Sequence, residues 1–177
     1  AFVTDTTNTE SLEKARSIYR NEGNFELVLK LYELQQQVAP SEHHKADLLV
    51  RKAQVHRDQL GNEDVAEELL ADALALVPDY PPAVCMQEVF ESGETVVEAI
   101  ASRRELAEEA GAEDDDETAA ELFWEAAMLE RYRDKGRTRT ERELLESVLR
   151  CDSGHEDARE RYADLGGDVD DLLAEAE

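Results

Sequence analysis

Two stretches of this chain share one punctuation. GNFELVLKLYELQQQVAP runs from Gly23 to Pro40, opening on Gly-Asn, filling with a helical pattern and closing on proline. GNEDVAEELLADALALVP does the same from Gly61 to Pro78, at the same separation of seventeen residues and thirty-eight residues further on. Gly136 to Ser153 repeats the seventeen-residue span, and Gly93 plus seventeen lands on Ala110, with Gly111 next. Each interval holds one amphipathic helix, and a second helical pattern precedes each glycine. Leu12, Ala15 and Tyr19 recur at three and four, as do Val50 with Ala53 and then Ala83, Met86 and Phe90. No period-two alternation competes with this. The chain reads as all-α: helix, turn, helix, repeated.

Helix-start chemistry supports the division. Thr7–Glu10, Thr95–Glu98, Thr138–Glu141 and Ser153–Glu156 all have capping-box spacing, in which a hydroxyl and a carboxylate satisfy orphan backbone N–H groups. Asn24, Asn62 and Ser41 suit N-cap positions, and Pro81 and Pro82 suit a first turn, where a missing N–H does no harm. The pattern predicts helices over 9–21, 25–38, 42–60, 63–77, 80–92, 95–110, 115–134, 138–151, 155–165 and 168–176.

Composition agrees and excludes some partners. With 177 residues, four prolines and eight glycines, the chain is expected to form one domain, 1–177, burying roughly 70% of its unfolded surface. Its 19 basic and 44 acidic residues give a net charge of −25. Residues 1–88 carry 8 and 16 of these, net −8, whereas residues 89–177 carry 11 and 28, net −17. Such a field repels phosphate backbones and anionic lipid heads, which argues against nucleic-acid and membrane-surface roles and is compatible with a basic partner. A solubility or salt-tolerance surface is the plainer reading of the same charge. Arginine outnumbers lysine, 14 to 5.

Cys85 and Cys151 match no metal or redox spacing and are expected as free thiols. No run of about 18 apolar residues exists to span a membrane. The opening AFVTDTTNTE has neither an initiator methionine nor signal-peptide anatomy, which is compatible with a piece of a longer protein. No compartment is readable; a cytoplasmic one is the default expectation.

The chain carries no G-x-G-x-x-G, Walker-type loop, G-x-S-x-G or H-E-x-x-H, so the expectation is a protein without catalytic residues, cofactor or metal. His43 and His44 are adjacent, hence about 100° apart on a helix and poorly placed to share one metal. His56 and His155 stand alone. The run Glu113–Glu117, EDDDE, looks like half of a calcium loop but lacks the turn glycine and the distal glutamate at their spacing. It reads instead as a solvated segment leading into a helix N-terminus. Trp124, beside Leu122 and Phe123, reads as core before it reads as a peptide anchor.

The repeat resembles the tetratricopeptide repeat family, whose signature is W-x2-L-G-x2-Y, then A-x3-F, then P. Leu12, Ala15, Arg16 and Tyr19, then Val28, Tyr32 and Pro40, fill these slots in the first repeat. Val50, Ala53, Gln54, Arg57, Ala66, Leu70 and Pro78 fill them in the second. The third offers Ala83, Met86, Gln87, Phe90, Ala99 and Arg103; the fourth offers Glu125, Met128, Leu129, Tyr132, Glu141, Leu145 and Ser153. Repeats thus fall at about 9–42, 47–80, 80–113 and 122–155, with a partial or capping pair at 155–177. The chain departs from the family in lacking the small glycine at the helix crossing and in keeping only two closing prolines. The resemblance implies an α-solenoid of antiparallel helix pairs forming a right-handed superhelix, in which stacking buries what one hairpin leaves exposed.

The resemblance also implies a concave face, lined by the first helix of each pair, that receives a partner peptide or segment. Carried across by register, that face comprises Arg20, Leu48, Arg51, Val55, Val84, Glu88, Glu91, Phe123, Glu130 and Arg133, with Glu13, Ser17, Ala126 and Asp134 among its neighbours. Leu48, Val55, Val84 and Phe123 would supply apolar contact, while Glu88, Glu91 and Glu130 would select against acidic ligands. The lysine-rich clamp by which relatives of this kind grip acidic chaperone tails is absent, since Glu13, Ser17, Val55, Val84, Glu88, Ala126 and Glu130 occupy its places and only Arg51 could serve. The expected role is a non-catalytic interaction scaffold for a protein or peptide of basic or mixed charge. The alternative is a structural spacer or self-associating module of a larger protein.

Overall fold

The structure, a computed structural model, describes residues 9–133 and 138–174. Among these residues it is all-helical, with ten helices and no strand. They are α1 (Thr9–Asn21), α2 (Phe25–Gln37), α3 (Glu42–Leu60), α4 (Glu63–Leu76), α5 (Pro81–Ser92), α6 (Val96–Ala112), α7 (Asp116–Glu130), α8 (Thr138–Cys151), α9 (Glu156–Asp164) and α10 (Val169–Ala174). The chain divides into two compact units, Ala1–Gln87 and Glu88–Glu177, with the boundary inside α5.

Several sequence signals act as expected. Asn24 Oδ1 accepts from Leu27 N at 3.3 Å and Ser41 Oγ from His44 N at 3.2 Å, so α2 and α3 start where their caps place them. Thr95 and Glu98 form a reciprocal capping box on α6, and Pro81 and Pro82 lie in the first turn of α5. Gly23, Gly61 and Gly93 all have positive φ, of 71°, 66° and 73°, a region where a side chain is strained. After Gly23 the Asn24 N–H returns to Tyr19 O at 2.8 Å, the six-to-one bond of a Schellman stop.

Other signals are corrected. Asn62 does stand at the N-cap of α4 as expected, without a side-chain cap bond, but other positions differ. The cap of α9 is His155, whose Nδ1 accepts from Ala158 N at 3.3 Å, two residues beyond the expected Ser153. Glu141 is buried inside α8 and accepts from Arg161, so it is committed to an ion pair across helices. Gly111 lies within α6, which runs on to Ala112; Asp114 takes the left-handed turn instead, at φ 61°, and Asp115 N closes it on Ala110 O at 3.0 Å. The expected helix over 115–134 stops at Glu130. Thr7, Gly136 and Asp134 lie outside the described residues.

In the first unit, α2 packs on α1 and on α3, and α3 packs on α4. Val28 and Tyr32 of α2 meet Leu48 and Val55 of α3 in a buried cluster, with Tyr19, Phe25, Leu29 and Ala39 against it. The opposite face of α3 buries Ala46, Val50 and Ala53, while α4 buries Ala66, Leu70 and Ala73. Ala46 and Ala53 on α3, and Ala66 and Ala73 on α4, each stand seven residues apart on the face where the two helices pack. In the second unit α7 packs on α6 and α8, and α8 packs on α9. Glu141, Leu144, Leu145, Val148 and Leu149 form the inward face of α8, and α9 contributes Ala158 and Tyr162.

Candidate partner-binding face

Helix packing sorts the ten expected face residues into core, bridging and exposed. Leu48 and Val55, one heptad apart, are only 2% and 3% exposed because α2 lies on that side of α3. They are core residues, so the assignment of these two to a partner-facing surface is corrected. Glu130 is likewise buried at 1%, and its two carboxylate oxygens accept from Arg133 Nη1 at 3.2 and 3.1 Å. Those two residues hold each other at the end of α7. Ala126 is fully buried.

Arg20 and Arg51 serve their own unit. Arg20 Nη2 donates to the Tyr32 hydroxyl at 3.4 Å, and Arg51 Nε donates to Asp47 Oδ2 at 2.8 Å, one turn away on α3. Beside Arg20, Arg16 donates to Gln35 Oε1 at 2.5 Å with its guanidinium 4.7 Å from the Tyr32 ring centre. Burial holds the Arg16 guanidinium below its ordinary value, partly offset by Tyr32.

Exposure remains on α5. Val84 is 38% exposed, and Glu88 and Glu91 are exposed as well. Spaced at four and three, they fall on one side of the helix. Phe123, on α7, is half-buried. Glu88 is oriented from beneath: Arg103 of α6, its side chain 13% exposed, donates from Nη2 to Glu88 Oε2 at 3.0 Å and from Nε to Glu125 Oε2 at 2.6 Å. One guanidinium therefore ties α5, α6 and α7 with two charge-assisted bonds.

Sequence reasoning missed that bracket, although its signal was present. Arg103 and Glu125 fall at positions where the resemblance leads one to expect apolar core residues. A charge at each of two such positions is the mark of a pair that replaces apolar packing. Glu141 behaves the same way, with Arg161 Nε at 2.7 Å and Arg131 Nε at 3.9 Å.

The remaining sequence candidates have local roles. Asp115 of the acidic run caps α7 through Thr118 N at 3.2 Å, and Asp116 and Glu117 lie in its first turn. Trp124 is half-buried, its ring 4.7 Å from that of His155 and tilted by 43°. His43 meets Tyr80 edge-on at 6.2 Å. Neither cysteine is in a disulfide, and Cys85 is buried; burial and then the charge of Asp116 push the Cys151 thiol up, so its reactive thiolate is scarce at neutral pH. Among the described residues, no three His, Cys, Asp or Glu side chains are grouped to hold a metal ion, and no helix is long and apolar enough to cross a membrane. No family model, curated protein or solved structure matches the chain.

Proposed function

We propose that the chain is a divergent scaffold of the tetratricopeptide type, an α-solenoid of helix pairs with a right-handed superhelical sense, and that it binds a partner segment without chemistry of its own. One observation carries the reading. The turn joining the helices of successive pairs is a left-handed glycine each time it is described, at Gly23, Gly61, Gly93 and again at Gly166, where φ is 78°. The same left-handed glycine turn in the same place of each helix pair is what a repeated helical hairpin requires, and a hairpin of that size needs neighbours to bury its apolar face.

The docking surface we favour is the outward side of α5, where Val84 offers apolar contact and Glu88 and Glu91 offer negative charge. A protein or peptide segment presenting an apolar side chain beside lysine or arginine complements it, whereas an acidic tail is repelled. The test is affinity capture from the native extract with wild-type chain, with Val84→Asp/Glu91→Lys, and with Glu105→Lys/Glu108→Lys on α6 as the charge-matched control. A partner kept by the control and lost by the α5 variant supports the reading. Equal loss from both means non-specific charge attraction, and equal retention by both removes α5 from the interface.

A further inference from the structure

The link from α8 to α9 is the sequence CDSGH, residues 151–155. Gly154 N donates to Asp152 Oδ1 at 2.9 Å and His155 N donates to Asp152 O at 3.3 Å, so the chain turns over Ser153 and Gly154. The cap position then falls to His155, whose Nδ1 accepts from Ala158 N at 3.3 Å, and Ala158 is fully buried. The same imidazole lies 4.7 Å from the ring of Trp124 on α7, tilted by 43°. One half-buried side chain thus starts α9 and touches the chain's single tryptophan.

Histidine is an unusual choice for the first of these tasks. The oxygens of Asn, Asp and Ser are the preferred caps and accept at neutral pH, whereas an imidazole accepts only through an unprotonated nitrogen. With Nδ1 accepting from Ala158, the hydrogen of the neutral ring sits on Nε2. The imidazolium carries hydrogens on both nitrogens, so the Ala158 N–H loses its acceptor and a positive charge stands at the positive end of α9. The contact with Trp124 is not lost in the same way, since an indole face attracts a cation.

The surrounding charges leave that bond as the element that protonation destroys. Asp152, Glu156 and Asp157 bring negative charge to the turn, and Arg159 brings positive charge while donating to Ser153 O at 2.8 Å. On α8, Arg150 is exposed, Glu141 is taken by Arg161, and Glu146 is taken by Arg142 and Tyr162. On α7, Glu121 and Glu125 stand beside Trp124, the latter bonded to Arg103, and the charge of Asp116 reaches Cys151. Ahead of α10, Asp168 accepts from Asp170 N and Asp171 N. Burial pushes the Cys151 thiol and the Tyr162 hydroxyl up from their ordinary 9.0 and 10.0, so neither ionises as the pH falls from neutral.

We infer that the α8–α9 turn is an acid-sensitive latch, in which protonation of His155 releases the Ala158 N–H and frays the first turn of α9. The pairs Glu141–Arg161 and Glu146–Tyr162 hold the later turns of the helix on α8.

The full chain is titrated from about pH 8 to about pH 5, the range in which histidine changes charge. Trp124 emission follows the ring contact, because an imidazolium against an indole quenches it. Exchange of the Ala158 amide, corrected for the intrinsic pH dependence of exchange, follows the cap. Emission should fall in a single one-proton step, and protection of Ala158 should fall about 5- to 30-fold with the same midpoint, as loss of one cap implies. Far-UV circular dichroism should keep its helical signal through the step. His155→Asn supplies a cap that does not titrate, so it should fold, abolish both steps and keep Ala158 protected throughout. His56→Gln should leave both steps in place. A flat emission profile overturns the inference, as does Ala158 protection that ignores the emission step. A step that persists in His155→Asn, vanishes in His56→Gln or coincides with global loss of helix overturns it too.

Discussion

Removal of Arg103 should cost the second unit stability through two ion pairs at once. Its two charge-assisted bonds, 2.6 Å to Glu125 and 3.0 Å to Glu88, are unequal in depth, the acceptor side chains being 33% and 55% exposed. Losing a fully buried partner costs about 3–5 kcal/mol, while an exposed pair contributes about 0–1 kcal/mol. Glu125 lies between these limits and Glu88 near the exposed one, so Arg103→Ala should destabilise by about 2–3 kcal/mol. Most of that comes from leaving the Glu125 carboxylate half-buried without its main neutralising charge. The double change Arg103→Leu/Glu125→Leu removes both charges and puts apolar side chains into the same half-buried contact. It should return to within about 1 kcal/mol of wild type. Urea unfolding followed by Trp124 fluorescence measures all three proteins, and the cycle with the single Leu variants gives the coupling. If Arg103→Ala costs less than about 0.5 kcal/mol, or the double variant is as unstable as the sum of its singles, the bracket does not join the helices as argued.

Other consequences can be checked with the same preparation. Leu48→Ala should lose about 2–5 kcal/mol through a cavity between α2 and α3, while Val84→Ala on exposed α5 should change stability by under about 0.5 kcal/mol, as read by chemical denaturation. Burial, reinforced by Lys52 and opposed by Glu33, holds the His56 imidazole below its ordinary 6.5. The unfolded chain therefore takes up that proton more readily, so this share of stability is present above pH 6.5 and is lost as pH falls through the depressed folded value. Melts at pH 7.5 and 5.5, run on wild type and His56→Gln, should show the larger drop in wild type. Gly167→Ala would drive a methyl group into the Tyr162 ring, which is held by its hydroxyl bond to Glu146 at 2.9 Å. A loss of about 1–3 kcal/mol in thermal or urea unfolding is expected.

The helices were legible because their punctuation is local. A left-handed glycine, an Asn or Ser cap and a proline act within a few residues of themselves, so Gly23, Asn24, Ser41 and the Thr95–Glu98 pair announced their turns without knowledge of the packing. Where the stop or cap came from a less usual residue, the local signal misled: α6 runs through Gly111 and turns at Asp114, and His155 rather than Ser153 caps α9. The surface was less legible because it depends on neighbours. Leu48 and Ala46 lie on opposite sides of α3, both apolar, and no periodicity tells which side another helix covers. Charged residues posed the reverse difficulty. The sequence pattern puts Arg103 and Glu125 in repeat positions, Glu130 on the partner face and Glu141 in a capping box, whereas they pair across or along helices in half-buried and buried positions. That use also gives the excess of arginine a physical reason, since a planar guanidinium can bridge two carboxylates where an ammonium ion is a single point charge.

Amide hydrogen exchange on the chain, alone and with its captured partner, tests the central claim most directly. The account predicts added protection in peptides covering Val84 to Glu91 of α5, with the outer side of α6 from Glu105 to Glu109 unchanged. Protection that skips α5, or that appears only across the acidic α6–α7 turn, would contradict it.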